Sequence, residues 1–260
     1  MKKTYCISDV HDHLDQLQAF LNDIDEDDVV YFLGDAVDKG PYPCSCLLLL
    51  LEDPRIKALL GNHDYMMYRF LLARKEAQKD GWNWTPEMQR RGRQWLDYNY
   101  GDNTLDAFDK FDDETQRKII SYFENAKLIY PDVEVNGKHF VLVHAYPWRM
   151  VYSNIEPPTG PLTVKDAGLN DEIINDYVWE RPDFPLWDKI LIKGKTIITG
   201  HTMTRYITNS YHSSKPDKIY SSCKDLKRAR YINIDCGLAA DDNKSRLCAL
   251  CLDDMSVKYY

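Results

Sequence analysis

The stretch Val29–Gly40, VVYFLGDAVDKG, sets five apolar residues directly against a turn that carries two carboxylates and a lysine between glycines. A β-branched and aromatic run such as Val29 to Leu33 reads as a strand buried on both faces, of the kind found inside a layered α/β sheet. The charged segment Gly34–Gly40, taken alone, fits a polar βα turn as well as it fits a functional loop. Other strands with the same kind of ending separate the two.

The apolar run Thr4 to Ser8 is followed by Asp9 and His11, and the run Ile56 to Leu60 by Gly61-Asn62-His63-Asp64. Phe140 to Val143 ends on His144, and Thr196 to Thr199 ends on Gly200-His201-Thr202. In open α/β sheets ligands bind at the carboxyl ends of the strands. Five strands that each deliver Asp, His or Asn to that edge are a far stronger signal than one polar turn.

Between these strands the pattern is helical. Asp12-His13-Leu14-Asp15 reads as a helix N-cap and acidic first turn, Pro43 as the opening of a helix carrying Leu47 to Leu51, and Asp64 as a cap for the helix with Met67, Phe70 and Leu71. From Gly81 to about Lys127 strands are absent and aromatic and aliphatic residues recur at helical spacing, which predicts a helical insertion. A proline-rich, irregular stretch from Pro147 to Pro185 follows. Further strands are expected at Lys127 to Tyr130, Tyr231 to Asp235, Leu247 to Leu252 and Met255 to Tyr259. With no repeat and no linker, residues 1–260 read as one domain.

The bulk composition excludes several classes. At 260 residues, 44% hydrophobic and 28% charged, the chain resembles an ordinary globular protein with a sizeable core. Its net charge of -8 argues against a nucleic-acid partner. The N-terminal MKKTYCISDV has no apolar signal-type segment, and the apolar run Leu47 to Leu51 is far too short to span a bilayer. Seven cysteines, an odd number, point to free thiols in a reducing cytoplasm.

Carboxylate and amide oxygens mixed with imidazoles suit two adjacent divalent cations, with manganese the first expectation and iron or zinc the alternatives. A carboxylate can bridge two such ions, and a water between them becomes hydroxide near neutral pH. His63 is placed to protonate a leaving alkoxide, and Asp38 to hold its imidazole in the required tautomer.

The segments SDVHDH, GDAVDKG, GNHD, LVHA and TGHT, in this order, resemble the motif set of the phosphoprotein phosphatase family, bacterial and phage-type, within the calcineurin-like metallophosphoesterases. INIDCGL, QWLDYNYGDNTLDAF and VWERPDF extend the resemblance over most of the chain. The resemblance implies an α/β (α+β) fold, a two-sheet β-sandwich flanked by helices. It implies Asp9 and His11 on one metal, Asp35 bridging, and Asn62, His144 and His201 on the other. Asp38 and His63 would form the acid dyad, and Arg181 would bind phosphate. Two positions depart from the pattern: Asp12 stands where the family has glycine and Lys39 where it has arginine. Lys39 keeps the charge but loses the planar fork that grips phosphate, and Arg149, after HAYPW, is a candidate to take over that grip.

Other signals carry less. IKGKT lacks the first glycine of a P-loop, and Cys248 and Cys251 form a CxxC whose side chains would point to opposite faces of a strand. His13, His139 and His212 read as structural or surface residues. Arg90, Arg91 and Arg93 read as the solvated face of an amphipathic helix. The expected function is hydrolysis of a phosphorylated protein, peptide or small phosphoester of the serine/threonine phosphatase type. The alternative is symmetrical hydrolysis of diadenosine tetraphosphate.

Overall fold

The computed structural model describes residues 2–152, 158–182, 192–207, 218–240 and 242–260. Among these, the strands in chain order are β1 Thr4–Ile7, β2 Val29–Phe32, β3 Ile56–Ala58, β4 Lys127–Val135, β5 Lys138–Val143, β6 Leu162–Thr163, β7 Lys195–Thr199, β8 Tyr220–Ser221, β9 Tyr231–Asn233, β10 Cys248–Cys251 and β11 Val257–Tyr259. The helices are α1 Leu14–Asn22, α2 Ser45–Glu52, α3 Asn62–Lys79, α4 Pro86–Leu96, α5 Gly101–Phe108, α6 Asp113–Asn125, α7 Trp148–Tyr152 and α8 Asp171–Val178.

The strands form two mixed sheets, ordered β11-β10-β1-β2-β3 and β6-β4-β5-β7-β9-β8. Side-chain alternation builds the layers. Cys6 and Tyr31 on one sheet pack with Phe140, Leu142 and Ile198 on the other, while Ile7, Val30 and Phe32 face outward onto Leu17, Phe20 and Leu47 of the helices. Ile129, Val141, Val143 and Ile197 cover the far face of the second sheet. The expected two-sheet arrangement flanked by helices is therefore present, and the segment predicted as a helical insertion holds α4, α5 and α6.

Register brings the polar loops together. β1, β2 and β3 are parallel, with Ile7 opposite Phe32 and Phe32 opposite Ala58. β5, β7 and β9 are likewise parallel, with Leu142 opposite Ile198. Leu60 donates its amide to Lys127 O at 2.8 Å, which ties the end of β3 to the start of β4. The carboxyl ends of both parallel sets thus meet at one edge.

Two helix-start expectations are corrected. Asp12 does not cap α1, where His13 holds the N-cap position without a side-chain cap bond. Its fully buried carboxylate instead accepts from Cys44 N at 3.0 Å, Cys46 N at 3.3 Å and Asp38 N at 3.2 Å. It therefore satisfies amides at the start of α2, which begins at Ser45 rather than at Pro43. The two-residue strands β6 and β8 lack an apolar run long enough to read from sequence. All seven cysteines are free. His13 is buried and His139 is exposed beside Asp132, whereas His212, Asp183, Phe184 and Pro185 lie outside the described residues.

Asp12 ties β1 to the Gly34–Gly40 loop, so its removal is expected to loosen both. Asp12→Ala should lower unfolding free energy by about 2–4 kcal/mol, because it leaves buried amides without acceptors. Urea denaturation measures this, and a change below about 0.5 kcal/mol would contradict the role.

Candidate metal centre

The loops after the strands adopt backbone that L-residues enter rarely. Asp9, His11, Asp35, Asp38, Lys39 and His201 all have positive φ, between 42° and 72°. Such conformations cost free energy and persist where surrounding contacts over-determine them. Those contacts are present. Asp9 N donates to Gly34 O at 3.0 Å and His11 N to Asp35 O at 3.0 Å, which extends the β1–β2 pairing into the loops. Asp64, in the first turn of α3, accepts from Gly61 N, Asp35 N and Ala36 N at 2.9–3.0 Å. Gly61 and Gly200 allow close approaches to the carboxylates: a Cβ on Gly61 would fall 2.0 Å from Asp35 Oδ1, and one on Gly200 2.1 Å from Asp9 Oδ2.

Asp35 lies at the middle of the cluster. Its Oδ2 is 3.4 Å from His11 Nε2 and 3.6 Å from His144 Nε2. His11 Nδ1 donates to Val37 O at 2.9 Å and His144 Nδ1 to Leu33 O at 2.7 Å. A carbonyl only accepts, so each ring carries its proton on Nδ1 and turns the Nε2 lone pair toward Asp35. His201 Nε2 donates to Trp179 O at 3.1 Å, which leaves its Nδ1 lone pair 2.9 Å from Asn62 Oδ1. The same Asn62 oxygen is 3.2 Å from His144 Nε2. His201 N also donates to Asp9 Oδ2 at 3.0 Å, and the Ser8 hydroxyl donates to the same oxygen.

Burial favours the neutral forms throughout. It holds His11 and His201 well below the usual imidazole range and pushes His144 down to about 3. It raises Asp9 and Asp35 well above the carboxylate range, with the charge of Asp235 adding to the shift on Asp9 and the charge of Asp9 to that on Asp35. Burial also lifts Asp64 and Asp235 to about 6. Lone pairs and carboxylate oxygens therefore face one another with no proton to share between all of them. One proton on Asp35 can serve His11 or His144, not both. A cation on each side serves both, and the donor set of imidazole, carboxylate and amide oxygen suits a divalent ion. The ligating atoms of Asp35, His144 and His201 lie within 4.8 Å of one another, as do those of Asp35 and His11, with a nitrogen of His63 inside the same distance although its Nδ1 is engaged by Asp38. The residues present thus fit two cations that share Asp35.

His63 stands beside this cluster. Its Nδ1 is 2.7 Å from Asp38 Oδ2, and its ring meets His11 edge-on at 4.8 Å. Burial lowers its pKa, against the opposing pull of Asp38. Asp38 is fixed by donors from the helical insertion, Trp95 Nε1 at 3.0 Å and Thr104 Oγ1 at 2.6 Å. Both lie in the segment QWLDYNYGDNTLDAF that resembles the family, but nothing in its spacing marked either residue as a partner of Asp38.

The candidate phosphate-binding cations diverge. The positive charge of Lys39 bears on Asp9, His11, Asp35 and His63, which places it at the cluster. Arg181 is close enough to affect His144 and His201 and donates to Thr202 Oγ1 at 3.4 Å. Arg149 is not brought to the cluster. Glu172 and Asp176 hold it at 2.8 Å each. Of the three arginines read as a solvated face, Arg90 and Arg93 are exposed but Arg91 is half-buried, 2.8 Å from Glu87 and 2.7 Å from Asp171.

Residues 2–205 match the calcineurin-like phosphoesterase family. The chain belongs to that family. The family uses a dinuclear divalent metal centre, in keeping with the cluster at the strand ends. Among curated relatives, the symmetrical bis(5'-nucleosyl)-tetraphosphatase of Yersinia enterocolitica is 40% identical over 65 residues, 24% of this chain and 22% of that protein. An uncharacterized protein of Methanocaldococcus jannaschii is 41% identical over 61 residues, 23% of this chain and 25% of the other. The matched segments thus span about a quarter of these relatives' length. Among solved structures, a candidate diadenosine tetraphosphatase aligns over 100% of this chain and 93% of its own, with TM-score 0.56 and 14% identity. A Saccharomyces cerevisiae protein serine/threonine phosphatase similar to human PP5 aligns over 100% of this chain and 79% of its own, with TM-score 0.55 and 11% identity. At these identities the structural likeness concerns the fold. No helix among the described residues is long and apolar enough to cross a membrane.

Two outcomes test the centre. Asp35 is protonated more readily than an ordinary carboxylate, and a ligand must be ionised, so metal loading should release protons and tighten as pH rises. Calorimetry in buffers of different ionisation enthalpy at pH 6 reads the release; none would contradict the assignment. Asp35→Asn should cost the protein both ions by elemental analysis, and a variant that still holds two would show that Asp35 does not bridge.

Proposed function

We propose that the chain is a dinuclear-metal phosphoester hydrolase in which His63, oriented by Asp38, is the general acid. The observation that supports this most is Asp35, one buried carboxylate facing two imidazole lone pairs, with the His63–Asp38 pair alongside. Asp9 and His11 would hold one cation and Asn62, His144 and His201 the other, with Asp35 between them. Two bound divalent ions supply charge neutralisation and an activated water for in-line displacement at phosphorus.

The side chains account for the remaining steps. Lys39 and Arg181 carry positive charge toward the cluster and would bind the non-reacting phosphate oxygens. His63 gives its Nδ1 proton's hydrogen bond to Asp38, and it acts as the acid in its imidazolium form, protonated on Nε2 as well, a form that burial disfavours and the Asp38 carboxylate supports. Trp95 and Thr104 fix the Asp38 carboxylate, so the acid is oriented before substrate arrives. The free cysteines suit a reducing compartment such as the cytoplasm.

On the motif set, the ester is a phosphomonoester of the serine/threonine phosphatase type, with manganese as the metal. The relatives named as symmetrical tetraphosphatases support a second reading, hydrolysis of dinucleoside polyphosphates. Mn-loaded protein should hydrolyse p-nitrophenyl phosphate and lose that activity to a chelator. Comparison of a phosphothreonine peptide with diadenosine tetraphosphate decides between the readings.

His63→Asn should keep both metals and lower turnover of alkyl phosphates by about 10²–10⁴-fold, the usual worth of a positioned acid. The loss should be smaller on p-nitrophenyl phosphate, whose leaving group needs no proton. Equal losses on the two esters would refute the acid role.

A further inference from the structure

A cavity of about 190 Å³ opens beside the centre, walled by Tyr65, Met66 and Arg69 of α3, Arg90, Arg91 and Gln94 of α4, and Asp171, Asn175 and Trp179 at and beyond α8. Three of its walls also touch the centre. α3 carries His63 one turn before Met66. In α4, Trp95 follows Gln94 and donates to Asp38. Trp179 accepts from His201 Nε2 and meets its ring edge-on. The elements that wall the cavity therefore also carry His63, hold Asp38 and hold His201, which sets the cavity against the part of the centre that contains the acid.

Its charge is cationic. Three guanidiniums line it, against Asp171 on the wall and Glu87, which pairs with Arg90 at 2.7 Å and Arg91 at 2.8 Å. Asp171 accepts from Arg91 and from the Tyr65 hydroxyl. Arg69 is left incompletely used. Its Nε is buried with no hydrogen bond among the described residues and stands 3.5 Å from Asp171. A buried donor without an acceptor is costly, and an anion in the cavity would supply one. The volume lies below the roughly 300–1,000 Å³ of pockets that enclose drug-sized ligands, so a compact group fits and a whole nucleoside does not. Guanidinium forks match the geometry of carboxylate and phosphate alike, and phosphate brings the larger charge to three guanidiniums.

We propose that this cavity is the leaving-group subsite and that it takes a phosphate carried by the leaving group, so that Arg69, Arg90 and Arg91 select substrates with a second phosphate. The assignment rests on the reading of the adjoining centre as a phosphoester hydrolase. It gives the half-burial of Arg91, unexpected for a residue on a solvated helix face, a reason. Asp171, itself held by the Tyr65 hydroxyl, and Glu87 hold the guanidinium in place.

The test uses the Mn-loaded full chain and three substrates: diadenosine tetraphosphate, whose leaving group bears phosphate, p-nitrophenyl phosphate, whose leaving group is uncharged apart from its oxygen, and a phosphoserine peptide with flanking aspartates. Arg69→Gln and Arg91→Gln should each lower the kcat/KM ratio of diadenosine tetraphosphate to p-nitrophenyl phosphate by at least about tenfold, the scale of one lost charge-assisted contact. Most of the change should appear in KM. Arg90→Gln, on an exposed side chain, provides the same measurement should Arg91→Gln fail to fold. A ratio unchanged within about twofold in the folded variants would overturn the subsite. So would a fall confined to the acidic peptide, which would make the cavity a carboxylate reader. Wild-type protein active on p-nitrophenyl phosphate but inert on diadenosine tetraphosphate would overturn the subsite as well, whereas wild-type protein inert on all three substrates would remove the hydrolase reading, and the subsite with it.

Discussion

Asp35 sits where the strand ends of both sheets meet, buried and flanked by two imidazole lone pairs. A carboxylate taken out of water without a counter-charge costs several kcal/mol. Protonation relieves the cost on one side only, since His11 and His144 both present acceptors to the same oxygen. Divalent cations relieve it on both. Much of the rest of the structure follows from keeping that carboxylate in place. Asp64 grips the Asp35 and Ala36 amides, Gly61 lets α3 start against it, and the register of β1 on β2 brings Asp9 and His11 alongside.

The loop that holds Asp35 also holds Asp38, and the two carboxylates are kept in different surroundings. Asp35 Oδ1 accepts from His63 N but its Oδ2 faces two acceptors, whereas both oxygens of Asp38 accept, from His63, Trp95 and Thr104. Donors stabilise an anion without a metal, so one carboxylate is left for cations and the other for orienting an acid. The helical insertion supplies both Trp95 and Thr104, and the same insertion supplies Arg90 and Arg91 to the neighbouring cavity. It thus serves the dyad and the leaving-group side at once.

What could be read from sequence was whatever lay next to an apolar run. Asp9, His11, Asp35, Asn62, His63, His144 and His201 each follow a strand within a few residues, so the strand pattern alone placed them on one edge. The role of Asp12 was not legible, because the amides it satisfies lie 26 to 34 residues away, and a local helix cap was the nearer explanation. Trp95 and Thr104 are 57 and 66 residues from Asp38, and no periodicity marks such a contact. Arg149 looked well placed because it follows His144 closely, but two acidic residues of α8 hold it elsewhere. Arg91 was misplaced for the converse reason: its neighbours on α4 are solvated, and its partner Asp171 comes from 80 residues further on.

The central claim is that Asp35 joins two cations at the meeting point of the strands. Anomalous diffraction from crystals grown with manganese tests it most directly. Two peaks about 3.5–4 Å apart, with the Asp35 carboxylate between them, are the predicted result. A single peak, or two peaks with Asp35 in contact with neither, would contradict it.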